Sequence, residues 1–168
     1  MILTDINKAQ YRHRLNRVII ACIVVLTVSA LSISTALIYF FSDGSETHFM
    51  LNLTGVVLGG GLVLQLLRHF RTHPYMHEIM YVWDLKQELN LINRRLRKVQ
   101  QAAQQGNYHA MLALHFSYQG SQQLWQLDDN TITLDDLRPL MNELDKLAQQ
   151  FNYELKTDAY SRDMLKEF

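Results

Sequence analysis

The histidines that follow the second apolar stretch come nearest to the spacing of a metal site. His69, His73 and His77 recur at every fourth residue, and on one helix that spacing would bring imidazoles together to hold a divalent cation. Pro74 interrupts such a helix, because proline removes a backbone donor and clashes with the preceding turn. We therefore predict no metal site here, and expect the basic residues nearby to contact lipid headgroups instead.

Two polar clusters further along suggest nucleic-acid and calcium chemistry. Residues 93–98 contain four cations, but Leu96 falls on an apolar face, and the aromatic platforms typical of single-strand binding are missing. Residues 128–130 resemble the start of a calcium loop without its alternating ligands, central glycine or closing glutamate. We predict a solvated basic face with no nucleic-acid partner, and a turn at residues 128–130.

Catalytic motifs are absent from the sequence. It contains no GxSxG, no P-loop, no HExxH and no Cys/His pair in its polar half. His109 and His115 lie on one predicted helix, but the sequence indicates no catalytic partner for either ring. Cys22 is the single cysteine, which excludes an intramolecular disulfide and a cysteine-based metal site. We predict no catalytic residue and no cofactor.

Two apolar stretches determine the predicted architecture. Residues 18–41 and 49–67 contain no Asp, Glu, Lys or Arg, and about 20 apolar residues cross a bilayer core. Residues 42–48 join them too tightly for anything but an antiparallel hairpin. A signal peptide would have an apolar region of about 7 to 15 residues and a cleavage site, which is not evident here. We predict an all-α membrane protein with a two-helix transmembrane hairpin.

Basic residues flank this hairpin at one end. Lys8, Arg12, Arg14 and Arg17 lie in the basic segment 1–17, Arg68 and Arg71 follow the second stretch, and residues 42–48 contain acids but no Lys or Arg. Cytoplasmic flanks carry the excess of Lys and Arg, so we predict that both termini are cytoplasmic and that residues 42–48 lie outside. The candidate ligands for lipid headgroups are Arg14, Arg17, Arg68 and Arg71.

The second stretch contains a group of glycines. Gly55 and Gly59 form a GxxxG pair, and Gly60 and Gly61 adjoin it. Small residues let helix backbones approach closely inside a membrane, and the first stretch offers matching ones at Ser29, Ala30, Ser32, Ser34 and Ala36. We predict packing within the hairpin, with a homodimer or partner interface and a flexible hinge as alternatives.

Residues 68–168 predict a cytoplasmic helical domain. A heptad seam on a long helix over residues 75–105 consists of Val82, Leu85, Leu89, Ile92, Leu96, Val99 and Ala103. Gly106 ends that helix, and a second helix over residues 108–127 lays an aromatic-rich face on the first. A third begins near Thr133, which is placed to cap with Asp136, or two or three residues later because of Pro139.

The predicted domain is a helical hairpin or an antiparallel three-helix bundle, with residues 156–168 helical but weakly held. Residues 68–105 carry seven Lys or Arg against three acids, and residues 106–168 carry five against ten. Opposite charges therefore favour pairing of the first helix with the later ones. A parallel coiled-coil dimer remains an alternative.

Two stretches of sequence resemble a known family. Residues 5–19, DINKAQYRHRLNRVI, and residues 115–137, HFSYQGSQQLWQLDDNTITLDDL, resemble an uncharacterised family of small two-pass bacterial inner-membrane proteins, a domain of unknown function. The resemblance covers most of the chain. It implies the bacterial inner membrane and the two-span layout, but no activity, cofactor or site residue.

Three function classes follow from these patterns. The first is a membrane-anchored interaction or scaffold protein that binds a second copy or another protein through helix faces. The second is a protein that binds anionic lipid or senses the envelope through the basic belt. An enzyme has the weakest support, because no activated nucleophile and no convergent acid and base are present.

Overall fold

The computed structural model describes residues 2–42, 47–130 and 132–168, which form helices and connecting segments with no strand among them. The six α-helices are α1 (Lys8–Phe41), α2 (Phe49–His69), α3 (His77–Asn93), α4 (Leu96–Gln104), α5 (Tyr108–Leu127) and α6 (Ile132–Gln150). Short 3₁₀ turns lie at Phe70–Thr72, Pro74–Met76, Thr157–Ala159 and Arg162–Glu167. Asp43 and Glu46 of the predicted loop, and the Thr133 side chain predicted as a cap, lie outside the described part of the chain.

The chain divides into two compact units. The hairpin unit is Ala9–Met80, and the bundle unit combines the first eight residues with Tyr81–Phe168. In the hairpin unit α1 and α2 are long and apolar enough to cross a membrane, and only 11% of the most apolar window of each is buried. The basic flank is helical as well, because no glycine or proline separates Lys8 from Val18.

The chain turns sharply where α2 ends. His73 is extended, as a residue before proline should be, and its ring Nδ1 accepts a hydrogen bond from the Tyr75 N–H at 3.1 Å. Pro74 opens a 3₁₀ turn, where its missing N–H costs little. Helix α3 consequently begins at His77, two residues after the predicted start.

Helix α5 is the centre of the bundle unit. It packs against α4, α6 and both 3₁₀ turns of the C-terminal tail, and Gly120 lets α3 approach, since a Cβ there would meet Leu85 Cδ1 at 3.1 Å and Leu89 Cδ2 at 3.2 Å. The buried residues of α5 lie on all sides of the helix. They are Ala110, Met111, Leu112, Ala113, Leu114, Phe116, Ser117, Tyr118, Gly120, Leu124 and Leu127. The predicted single aromatic face is therefore too narrow a description of α5.

The predicted helix over residues 75–105 is interrupted at Arg94 and Arg95. The backbone tightens there, because the N–H of Arg95 bonds the carbonyl of Ile92 instead of continuing the α-helical ladder. The guanidinium of Arg95 donates to the backbone carbonyl of Leu165 in the tail. Six of the seven predicted seam residues are buried, whereas Leu96, at the first position after the break, is only half-buried.

The first residues of the chain are fastened to the bundle unit. The Thr4 N–H donates to Tyr81 Oη at 2.9 Å, Tyr81 Oη donates to Gln123 Oε1 at 2.9 Å, and Gln123 Nε2 donates to the Thr4 carbonyl at 2.6 Å. Lys8 forms an ion pair with Asp129, in the turn after α5 where Asp129 has a φ of 58°. Residues 128–130 thus form a turn, as predicted.

The C-terminal tail differs from its prediction in both conformation and packing. It consists of two short 3₁₀ turns rather than a helix, and Tyr160 and Leu165 are each 3% exposed. The later start predicted as an alternative for the third helix is also wrong, since Pro139 lies inside α6.

Gly106 ends α4 with a left-handed residue, at a φ of 87°. The N–H of Asn107 bonds the carbonyl of Ala102, and the N–H of Gly106 bonds that of Ala103, as in a Schellman motif. The ring of Phe151 lies directly over the glycine, because a Cβ there would approach Phe151 Cε1 to 2.5 Å. This position therefore disfavours any side chain for two independent reasons.

We expect Gly106→Ala to destabilise the bundle unit by roughly 1–3 kcal/mol, since it adds backbone strain to a steric clash. Thermal unfolding followed by circular dichroism measures the loss. Gly106→Ala combined with Phe151→Leu should recover part of the stability, because the smaller side chain relieves the clash and leaves the strain. No difference between Gly106→Ala and the wild type would contradict this description of the turn.

Candidate functional site

Two glycines of α2 lie directly against α1. A Cβ on Gly55 would meet the Cβ and the backbone N of Ser34, each at 2.9 Å, and one on Gly59 would meet Ser29 Oγ at 2.9 Å and the backbone N of Ala30 at 3.1 Å. The Ser34 hydroxyl also donates to the side-chain oxygen of Asn52. The two helices therefore run antiparallel in close contact over this region.

The next two glycines have a different environment. A Cβ added to Gly60 or Gly61 would meet no atom within 4 Å outside its chain neighbours and its own helix backbone. The predicted glycine group thus separates into a pair that faces α1 within the hairpin and a pair that faces outward. The outward pair leaves a flat strip of α2 uncovered.

We expect Gly55→Ala and Gly60→Ala to differ strongly in effect. The methyl group at Gly55 must push α1 away, which should cost roughly 1–3 kcal/mol, whereas at Gly60 it meets open space. Thermal unfolding of the detergent-solubilised protein compares the two. Equal stability of the two variants would show that Gly55 does not face α1.

The predicted headgroup ligands fall into two groups. Arg14 is already engaged: its guanidinium pairs with Glu78 at 2.5 Å and lies 5.2 Å from the centre of the Tyr75 ring. Arg17, Arg68 and Arg71 are exposed. Among the described residues, the guanidinium groups of Arg17 and Arg68 have no hydrogen bond or ion pair. Those two guanidinium groups are therefore available to an anionic ligand.

An apolar cleft lies between α1 and α2, next to the 3₁₀ turns that follow α2. Its volume is about 360 Å³, within the range of small-molecule sites. The lining residues are Val18, Ala21, Cys22, Val25, Val63, Leu66, Leu67, Phe70, His73, Tyr75 and Met76. Arg17 precedes Val18 in α1 and Arg68 follows Leu67 in α2, but neither arginine is among the lining residues.

The three histidines predicted at helical spacing lie on separate elements. His69 ends α2, His73 lies between the two 3₁₀ turns and His77 begins α3. No group of three His, Cys, Asp or Glu side chains able to hold a metal ion occurs among the described residues. His69 and His73 instead pack edge-on against the ring of Phe70, with centroid distances of 5.1 Å and 6.3 Å.

The histidines of α5 have separate surroundings. His109 lies 2.8 Å from a carboxylate oxygen of Glu167 in the tail. His115 is half-buried, and the resulting desolvation lowers its pKa, an effect that Asp145 only partly opposes. The two rings thus have different neighbours, Glu167 of the tail for His109 and Asp145 of α6 for His115.

The lowered pKa of His115 predicts that acidification destabilises the bundle unit. The folded state favours the neutral ring, so below about pH 6.5 the unfolded chain binds a proton more readily, and stability falls as pH falls. We expect His115→Gln to lose less stability than the wild type between about pH 7.5 and pH 5.5. Urea titrations of both proteins at the two pH values test this prediction. Identical losses of stability in His115→Gln and the wild type would contradict it.

A buried carboxylate forms a cluster that the sequence patterns did not reveal. Glu88 of α3 is 4% exposed; it accepts a hydrogen bond from Tyr160 Oη at 2.9 Å, and Arg162 Nη2 lies 2.5 Å from the same carboxylate. Burial raises the pKa of the Tyr160 phenol well above its usual range, and the Glu88 carboxylate raises it further. The phenol therefore keeps its proton and donates it in the hydrogen bond.

The basic stretch at the α3–α4 break forms an open surface. Arg94, Arg97 and Lys98 are exposed, and they line a shallow depression with Lys166 and Phe168 of the tail. Among the described residues, the side chains of Arg94, Arg97 and Lys98 have no hydrogen bond or ion pair. Their solvated arrangement agrees with the basic face expected from the sequence.

Comparison with known proteins gives one match. A family model described as "Protein of unknown function (DUF3087)" matches residues 1–165, which confirms the resemblance to an uncharacterised family. No curated protein and no solved structure matches the chain.

Proposed function

The chain belongs to the DUF3087 family of proteins of unknown function, and we propose that it is a membrane-anchored interaction or scaffold protein. The hairpin of α1 and α2 anchors it in the bacterial inner membrane, with both termini in the cytoplasm. The bundle unit binds a second copy or another protein through its helix faces. The role is one of binding rather than catalysis.

The exposed apolar surface of α1 and α2 is the observation that carries this proposal. Large side chains such as Ile20, Leu31 and Leu64 are 59–64% exposed, an arrangement that water disfavours and lipid tails favour. The small polar contact between Ser34 and Asn52 is satisfied inside the hairpin. Residues 18–41 of α1 and 49–67 of α2 contain no Asp, Glu, Lys or Arg, so both offer lipid a surface without a charge.

The distribution of basic residues supports the orientation. Arg17 and Arg68 adjoin the apolar stretches 18–41 and 49–67 on the same side of the hairpin, and Lys or Arg does not occur in residues 42–48. Flanks with an excess of Lys and Arg stay in the cytoplasm, so this distribution supports cytoplasmic termini.

Two exposed surfaces support association with a partner. Leu140 on α6 is 40% exposed in the bundle unit, and Gly60 and Gly61 form an open strip on α2. An apolar side chain exposed on a helix suits helix-face recognition, and small residues suit close helix packing in lipid.

Reporter fusions test the membrane placement. A periplasmic phosphatase fused within residues 43–46 should be active, the same enzyme fused after Phe168 should be inactive, and the chain should resist extraction of membranes by alkaline carbonate. An active C-terminal fusion would overturn the orientation, and extraction of the chain would overturn the anchoring itself.

Site-specific photo-crosslinking tests the interaction role. Probes replace Gly60 and Leu140 in native membranes, and a probe at Val63, which lines the cleft between α2 and α1, is the matched control. We expect the first two to capture a second copy or one defined protein, and the control to crosslink within the chain. Capture of lipid alone by both test probes would contradict the interaction role.

A further inference from the structure

We propose that the bundle unit binds a second copy of this chain by placing α6 of one copy on the basic surface at the α3–α4 break of the other. The contact joins three cations to a stripe of α6 that carries two carboxylates. The cations, which we call the basic depression, are Arg94, Arg97 and Lys98. The α6 stripe is Asp136, Leu140 and Glu143. This inference rests on the interaction role proposed above and names both the partner and the contact.

The basic depression carries charge that its own chain leaves unneutralised. Arg94, Arg97 and Lys98 are exposed, and their side chains have no hydrogen bond or ion pair within the described part of the chain. No Asp or Glu is among the residues that line the depression. Lys166 also lines it but pairs with Asp163 at 2.7 Å. Three cations are therefore available to an acidic partner.

The depression has a defined shape because the tail is tied to the α3–α4 break. The guanidinium of Arg95 donates to the backbone carbonyl of Leu165, and the Leu165 side chain is buried. Leu96 and Phe168, each half-buried, add apolar atoms to the lining. The depression thus offers a partner apolar surface next to cations, which is the usual composition of a protein interface.

The α6 stripe has the complementary composition. Asp136, Leu140 and Glu143 follow one another at intervals of four and three residues, which places them on one face of α6. Leu140 is 40% exposed. Asp136 and Glu143 are exposed as well, and among the described residues their carboxylates have no hydrogen bond or ion pair. One apolar side chain therefore lies about one helical turn from a carboxylate on either side.

Charge complementarity makes a second copy the partner that fits both surfaces. The basic depression and the α6 stripe belong to the same bundle unit, so every copy carries both halves of the contact. Each exposed ion pair is weak, but anchoring holds the copies in one membrane and raises their local concentration. A nucleic acid or an anionic lipid surface would use the depression without the α6 stripe.

Energy transfer between two labelled copies of the full chain tests the inference. Ser45→Cys in a Cys22→Ser background carries either a donor or an acceptor dye, and both forms are reconstituted together in phosphatidylcholine vesicles at low surface density. We expect energy transfer in the wild type. An excess of unlabelled wild type should remove it, because unlabelled copies replace the acceptor.

Charge reversal on one surface at a time tests the contact itself. Arg94→Glu with Arg97→Glu makes the depression acidic, and Asp136→Arg with Glu143→Arg makes the α6 stripe basic. An exposed ion pair contributes up to about fivefold to an association constant. Each double variant mixed only with itself should therefore associate at least about tenfold more weakly than the wild type, because two attractions become repulsions.

A mixture of the two double variants should recover association. The acidic depression of one variant then meets the basic stripe of the other, and the unaltered surfaces pair as in the wild type. Recovery also shows that both variants fold, as exposed positions should allow. Lys146→Glu with Lys156→Glu is the matched control: it changes the net charge by the same amount elsewhere in the bundle unit and should associate like the wild type.

Each outcome separates this inference from the interaction role on which it rests. Lack of recovery in the mixture, or equal association of the control and both double variants, overturns the contact, while energy transfer in the wild type still supports binding of a second copy. Loss of association only when the depression is reversed overturns it too and indicates a different acidic ligand. Absence of energy transfer in the wild type overturns self-association, and crosslinking from Leu140 then shows whether another protein is bound.

Discussion

Ile92→Asp should unfold most of the bundle unit. Ile92 is fully buried on α3, so the substitution removes an apolar side chain from the core and places a carboxylate without a partner in its position. The first effect costs about 2–3 kcal/mol and the second several more. We expect a total loss above about 4 kcal/mol, a large part of the stability of a domain this size.

The matched control introduces the same residue one position along. Asn93→Asp changes an exposed residue at the end of α3, and such surface substitutions usually alter stability by about 0.5 kcal/mol or less. Urea unfolding followed by circular dichroism compares both variants with the wild type. If Ile92→Asp unfolds at the same urea concentration as Asn93→Asp, then Ile92 does not belong to the core.

The helical periods of the sequence predicted most of the bundle core. Val82, Leu85, Leu89 and Ile92 are buried as their heptad spacing indicates, because an apolar stripe must meet another surface. Periodicity could not predict the break at Arg94–Arg95, where the sequence has no glycine or proline. Arg95 bonds Leu165, a residue 70 positions away, and such tertiary contacts override local propensity.

The sequence contained a signal for the central position of α5, but an interpretation based on its aromatic face alone overlooks that signal. Small residues recur on the face of α5 opposite the aromatic stripe, at Ala110, Ala113, Ser117 and Gly120, and all four are buried. A helix that is small or apolar on every side is surrounded by other elements. The sequence thus contained the information for α5, but the aromatic stripe alone pointed to one neighbour.

The candidate site was predictable in part. Charge and spacing identified Arg14, Arg17 and Arg68 as basic flanks, yet they could not tell which arginine a carboxylate engages. Glu78 lies 64 positions from Arg14, so the pairing depends on how the chain turns at Pro74. The same turn forms one end of the cleft, which no sequence period describes.

The C-terminal tail was the weakest part of the prediction, because its anchors are distant in sequence. Tyr160 stacks on Phe116 with 4.4 Å between ring centroids, and its hydroxyl reaches Glu88, 72 positions away. Arg162 completes the ion pair from a side chain that is 63% exposed, so solvent screening limits its contribution. The buried ring should therefore hold the tail more strongly than the ion pair does.

Tyr160→Ala should consequently release the tail. Removing a fully packed aromatic ring costs about 3–5 kcal/mol and leaves the Glu88 carboxylate without its phenol donor. Tyr160→Phe is the matched variant: it keeps the ring on Phe116 and loses one hydrogen bond to a charged group, about 1.5–3 kcal/mol. Hydrogen exchange of residues 157–167 together with thermal unfolding measures both, and we expect rapid exchange in Tyr160→Ala and near-native protection in Tyr160→Phe. Equally rapid exchange in both variants would mean that the hydroxyl, and not the ring, fastens the tail.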